Sequence, residues 1–332
     1  MAVWVGREPY CDYATIREAV EEVERRSPQL PETIYILSGT YREQIVIYRS
    51  KLSIIGIGRV EIVMNRYARE KGGDGEEIGT FATPTLFLGG SDLLVENLTV
   101  MNTAGQGESV GQAVALTAYC DRAVFRSCTF SGHQDTLFTG PLPPSPKQRA
   151  AFGGVEVREH HEQYRQLYLN CRIEGTVDYI FGGASAYFEH CELHSMVRTG
   201  EQQTGYVTAA STPEEQPFGY VFRSCVLTAA PGVPPASVYL GRPWRGYAKT
   251  VFADCRMGSH IHPAGWHNWD NPANERTADY REYYGEGHQI SAVRAPWTIC
   301  RPYPNTDWSK ESLFAGNHFW NKSAEGERSV RI

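Results

Sequence analysis

Apolar and polar residues alternate along this chain in short segments that recur. FRSCTF at 125–130, YLNCRI at 168–173, FEHCEL at 188–193, FRSCVL at 222–227 and FADCRM at 252–257 share one frame. Each reads aromatic, two mostly polar residues, cysteine, one polar or variable residue, and usually an apolar one. VENLTV at 95–100 fits with Leu98 at the cysteine position, and counting from Leu98 the spacings are 30, 43, 20, 34 and 30 residues. Period-two alternation in segments this short, with little helical periodicity between them, predicts strands. Strand-like units that return every few tens of residues predict stacked repeats. The consensus residues of leucine-rich and WD40 repeats are absent from the sequence. The architecture that fits is all-β, a parallel β-helix in which each coil buries one face. The cysteines then form an interior ladder of small apolar side chains rather than bridges.

A solenoid has exposed ends and needs caps. In TIREAVEEVERR at 15–26, Ile16, Ala19, Val20 and Val23 follow the i, i+3, i+4, i+7 rule, and Thr15 with Glu18 makes a capping box. An amphipathic helix is therefore expected within an N-terminal cap over residues 1–30. PLPPSPKQRAAFGGVEVREHHEQ at 141–163 is Pro-rich and then polar, which predicts a loop inserted into one coil and accounts for the 43-residue spacing. Beyond about residue 260 the frame is lost and Trp, Tyr, Asn and Pro accumulate, so 260–332 is expected to be irregular and packed on the solenoid.

Composition narrows the function. At 332 residues and 41% hydrophobic the chain can bury a large core, and a repeat architecture absorbs that length in a single domain, 1–332. A net charge of −6 gives no support to nucleic-acid or anionic-membrane partners, and no run of about 18 apolar residues marks a membrane span. The opening residues lack a basic region followed by an apolar stretch of roughly 7–15 residues. A cytoplasmic protein is expected from this, or a secreted one if a leader has been removed. No C-x-x-C pair occurs, and His160, His161 and the other eight histidines lack H-E-x-x-H or other clustered ligand spacing, so neither metal nor cofactor is expected. GGDG at 72–75 is followed by no G-K-[ST], and the absence of G-x-S-x-G argues against an α/β-hydrolase esterase.

Candidate chemistry lies in two octapeptides, SGHQDTLF at 131–138 and EGTVDYIF at 174–181. Asp135 stands seven residues after Cys128 and Asp178 seven after Cys171. If the cysteines are equivalent, so are the aspartates, one coil apart and about 4.8 Å from strand to strand. Like charges that close raise the proton affinity of at least one carboxyl. Such a pair suits an acid/base group beside an ionised nucleophile. Either Asp alone is explained as well by turn capping; the coincidence, framed by Gly132 and Gly175, favours a site.

These residues also carry a family likeness. DYATIREAV (12–20), GTYREQI (39–45), GQAVAL (111–116), GHQDTLF (132–138), GTVDYIFG (175–182), YLGRPWR (239–245) and AGWHNW (264–269) occur in order, with looser matches at YYGEG (283–287) and RAPW (294–297). In them the sequence resembles the pectin methylesterase (pectinesterase) family of carbohydrate esterases. The resemblance implies a right-handed parallel β-helix that hydrolyses methyl esters of galacturonan or oligogalacturonides, acting as a monomer. It further implies Asp178 as nucleophile, Asp135 as general acid and then base, Gln112 and Gln134 as donors to the oxyanion, and Arg242 as partner of Asp178; a guanidinium so placed is expected to keep the Asp178 pKa low. Trp244 and Trp269 match cleft positions, with Phe181 and Tyr179 packed around Asp178. His133 departs from the pattern, standing where many relatives carry Phe or Tyr, and an imidazole there bears on subsite preference and pH profile. The 141–163 insertion would restrict the cleft and favour short, imported oligosaccharides. A lyase or glycoside hydrolase on the same solenoid is the alternative enzyme class, and a binding module that has lost turnover is the non-enzymatic one.

Overall fold

The computed structural model describes residues 2–147, 151–201, 203–285, 293–302 and 308–320. Every pairing between its strands is parallel, and the chain climbs through three faces per coil. One face is a seven-stranded sheet made of Ile45–Ile47, Leu86–Leu88, Leu116–Ala118, Leu137–Thr139, Ile180–Gly182, Gly205–Ala210 and Val238–Gly241. The other two meet at a corner, for example between Asp121–Arg126 and Thr129–Ser131.

That corner explains the recurring frame. The residue before the cysteine, or before Leu98, is left-handed in every coil: Asn97, Ser127, Asn170, His190, Ser224 and Asp254 all have φ between 52° and 56°. Asn, Asp and His tolerate this region better than most residues. Each corner N–H is held by a carbonyl of the next coil, as in Ser127 N to Leu169 O at 2.9 Å and Asn170 N to Glu189 O at 3.0 Å. The turn sends the cysteine inward, and Cys128, Cys171, Cys191 and Cys225 are buried. The aromatic of the frame faces inward too. Phe125, Tyr168, Phe188, Phe222 and Phe252 form a buried stack with successive centroids 4.6, 4.4, 4.5 and 4.5 Å apart. Each such contact adds about 0.5–1.5 kcal/mol beyond the area it buries.

Helix Ile16–Arg25 covers the N-terminal end, with the Thr15 and Glu18 capping box formed and Ile16, Ala19, Val20 and Val23 buried. Its first-turn N–H groups are anchored by Glu43, whose carboxylate accepts from Ile16 N at 3.1 Å and Arg17 N at 3.0 Å. Residues 141–163 contain no strand among those described. The segment after 260 is less irregular than its sequence suggests. Strands Asp279–Tyr284 and Ile299–Pro302 continue the face to which Lys249–Ala253 belongs; Asp279–Tyr284 lacks the aromatic-x-x-Cys frame, and WTIC at 297–300 matches its first four positions but sets Cys300 inside the strand. Beyond them Trp308, Leu313, Phe314 and Phe319 cover the outward side chains of Leu167, Tyr187, Val221 and Val251.

Candidate active site

Asp135 and Asp178 precede equivalent strands of the seven-stranded sheet. The bridge Gln134 to Val177 and the pair Leu137 to Ile180 share the 43-residue offset that separates the two aspartates, and Asp135 N donates to Val177 O at 3.0 Å. The coil arithmetic thus places them on adjacent rungs. Both are left-handed, with φ of 64° at Asp135 and 50° at Asp178. Gly175 is required by close approach, since a Cβ there would lie 2.2 Å from Tyr179 Cβ and 2.8 Å from His133 O.

Arg242, just past strand Val238–Gly241, forms a two-pronged pair with Asp178: Nε donates to Oδ1 at 2.8 Å and Nη2 to Oδ2 at 2.7 Å. Its guanidinium lies between two rings, 3.9 Å from the Tyr206 centroid and 3.8 Å from that of Trp269. A planar fork stacked on both faces is fixed in direction as well as charge.

The carboxyls are 9% (Asp135) and 6% (Asp178) exposed, and burial is the main influence on both. Burial, reinforced by the Asp178 charge, pushes the Asp135 carboxyl well above the usual range, with Arg242 opposing only weakly. Burial also raises Asp178, and there Arg242 pulls strongly the other way, helped by Arg198 and Lys147. Arg242 therefore does not hold Asp178 below its ordinary value, as the guanidinium alone led one to expect; it makes Asp178 the more acidic member of the pair. One proton on Asp135 beside one charge on Asp178 is the favoured state.

Both aspartates line a cleft of about 410 Å³ together with Gln112, Gln134, Phe81, Lys147, Phe152, Phe181, Arg242, Trp244 and Trp269. Among the described residues neither Gln112 nor Gln134 uses its carboxamide in a hydrogen bond, although their backbone carbonyls accept from Ala68 and Ala113. Phe181 and Trp244 are 5.8 Å apart and, with Phe81 and Phe152, make an aromatic wall. Tyr179 is fully buried beneath. His133 is not among the cleft-lining residues. Its Nδ1 is buried without a partner. Burial lowers the His133 pKa, which keeps the ring neutral near pH 7. Tyr206, Phe81, Phe152 and Lys147 escaped the sequence reading, because the first two belong to other coils and the last two to a segment without periodicity. A second cavity of about 460 Å³ lies against Met257, Glu282 and Arg294, but Glu282 is committed to Arg294 and Trp266.

Gly107 backs the Gln134 side chain: a Cβ there would stand 2.4 Å from Gln134 Oε1 and 2.8 Å from Gln134 Cβ. If Gln134 assists turnover, Gly107→Ala displaces its carboxamide and lowers kcat by about tenfold, less than the 10²–10³ expected for full loss of such a donor. Steady-state rates alongside thermal melts check this, because the expected loss occurs with Tm nearly constant.

The sequence matches the family described as Pectinesterase over residues 2–142 and 150–321. It is 32% identical over 307 residues to Pectinesterase 31 of Arabidopsis thaliana, covering 89% of this chain and 86% of that protein. It spans about half the length of several other curated relatives. Among solved structures, pectin methylesterase from carrot superposes with a TM-score of 0.78 at 29% identity over 99% of this chain and 98% of that one. A pectin methylesterase in complex with a hexasaccharide gives 0.73 at 26% identity, covering 94% and 96%. With these the chain shares a right-handed parallel β-helix. The relatives overturn the cytoplasmic placement, and with it the notion of imported fragments: they are named for pectin, a polymer of the plant cell wall that lies outside cells. That expectation rested on the missing leader, and where a sequence begins says nothing about route.

Proposed function

This chain belongs to the pectinesterase family, and from that premise we propose that Asp178 attacks the methyl ester of a galacturonate unit in pectin while Asp135 supplies the proton that releases methanol. The ionised Asp178 carboxylate adds to the ester carbonyl. The tetrahedral oxyanion accepts amide hydrogens from Gln112 and Gln134. As the intermediate collapses, the C–O bond to the methyl group's oxygen breaks and Asp135 protonates the departing oxygen. The resulting anhydride joins Asp178 to the sugar carboxyl. Water then attacks it, giving its proton to the Asp135 carboxylate; collapse frees the galacturonate acid and restores both aspartates.

The observation that carries this reading is the asymmetry of the pair: two coupled buried carboxyls, of which only Asp178 is gripped by a guanidinium. Two unspent carboxamides beside them favour an oxyanion over the chain-cleaving alternatives. The substrate is pectin-type, and the aromatic wall offers its faces to the C–H surfaces of sugar rings. One β-helix domain of one chain supplies every group, so the acting unit is the monomer.

The test is methanol release with acidification at unchanged chain length from methylated galacturonan. New reducing ends or unsaturated ends would overturn the proposal. Within it, Gln112→Ala lowers kcat by about 10²–10³, the cost of one lost oxyanion donor, and changes KM far less. An effect confined to KM would remove Gln112 from the oxyanion site.

A further inference from the structure

The insertion brings a cation into the cleft that no other described residue pairs. Lys147 Nζ sits 4.8 Å from the centroid of Trp269, the ring that also covers Arg242. Among the described residues no carboxylate is within ion-pair distance of Lys147. The charge of Arg242 is matched by Asp178, and Arg245 is spent on carbonyls, donating to Ser145 O at 2.8 Å and Trp244 O at 3.0 Å. Burial and the neighbouring guanidiniums of Arg245 and Arg242 depress the Lys147 pKa, with Asp178 opposing, so an anion arriving beside Lys147 would favour its charged form.

The segment that carries Lys147 is held in place. Ser145 is tied to Arg245. Beyond residues 148–150, Phe152 packs on Phe81 at 5.4 Å and Val155 N donates to Phe81 O at 2.9 Å. The family match omits residues 143–149, so Lys147 belongs to this chain's own insertion and not to the shared scaffold.

Resting on the esterase reading above, we propose that Lys147 is a specificity residue that binds the free carboxylate of a galacturonate unit next to the one being de-esterified. The chemistry admits few other anions. The reacting unit must carry a neutral ester, because Asp178 already supplies the local negative charge, and a galacturonan chain otherwise presents hydroxyls, ring oxygens and carboxylates. A carboxylate beside Lys147 therefore comes from a neighbouring unit that is already de-esterified.

The experiment compares KM, per ester group, on fully methylated galacturonan and on the same polymer with half its esters saponified. Wild type is expected to have the lower KM on the saponified polymer. In Lys147→Met that advantage shrinks about fivefold, the scale of one partly exposed ion pair; in Lys147→Arg it survives, and raising NaCl erodes it in wild type. Inhibition by unesterified trigalacturonate weakens in parallel in Lys147→Met. If wild type is active but the KM ratio and the trigalacturonate inhibition are the same in Lys147→Met, the carboxylate role is wrong and the esterase reading stands. If wild type releases no methanol from either polymer, both fall together.

Discussion

Asp178→Asn is expected to lower methanol release by about 10⁴-fold or more, the scale seen when a covalent nucleophile or its essential partner is removed. The substitution is nearly isosteric; its carbonyl oxygen keeps one of the two bonds from Arg242 while its NH2 meets the other donor, and the Tyr206 and Trp269 rings still hold the guanidinium. What disappears is the charge: a neutral carboxamide does not add to an ester. On the proposed reading the aromatic wall and the surrounding cations hold the substrate, so KM is expected to stay within a fewfold while kcat collapses. Single-turnover methanol release, with circular dichroism to verify the fold, measures this. Activity within tenfold of wild type would show that another group attacks the ester.

The fold was legible because one physical device repeats. An inward aromatic, a left-handed corner and an inward cysteine recur from coil to coil, and the corner residues Asn97, Asn170, His190 and Asp254 are types suited to that backbone, with Ser127 and Ser224 at the other two corners. The aspartate pair was legible for the same reason, since equal distances from two equivalent cysteines place two side chains on adjacent rungs. Features that join distant coils were not legible. Tyr206 faces Arg242 and Phe81 faces Phe152 only after the register is fixed, and no local periodicity encodes those meetings. The C-terminal strands Asp279–Tyr284 and Ile299–Pro302 were not legible because Asp279–Tyr284 has no cysteine and the WTIC at 297–300 does not continue into the full frame. The Asp178 pKa was misjudged by weighing the guanidinium alone; in a site this dry, burial is the larger force.

The same dryness gives Asp135 two opposed effects. Asp135→Asn removes the proton donor, and loss of general acid and base catalysis lowers kcat by about 10²–10⁴. It should also stabilise the fold near neutrality. Burial and the Asp178 charge raise the folded-state pKa of Asp135 above the unfolded value of about 4. Between those two values the native protein holds a proton that the unfolded chain has released, so wild-type stability falls as pH rises through that window. Asn does not titrate. The Tm gain of Asp135→Asn over wild type is therefore expected to be small at pH 4, where Asp135 is protonated in the fold and about half protonated in the unfolded chain, and to grow toward pH 7. Thermal melts across pH 4–7 decide the matter: a Tm difference that shrinks with rising pH would mean that Asp135 is ionised in the resting enzyme and cannot be the acid.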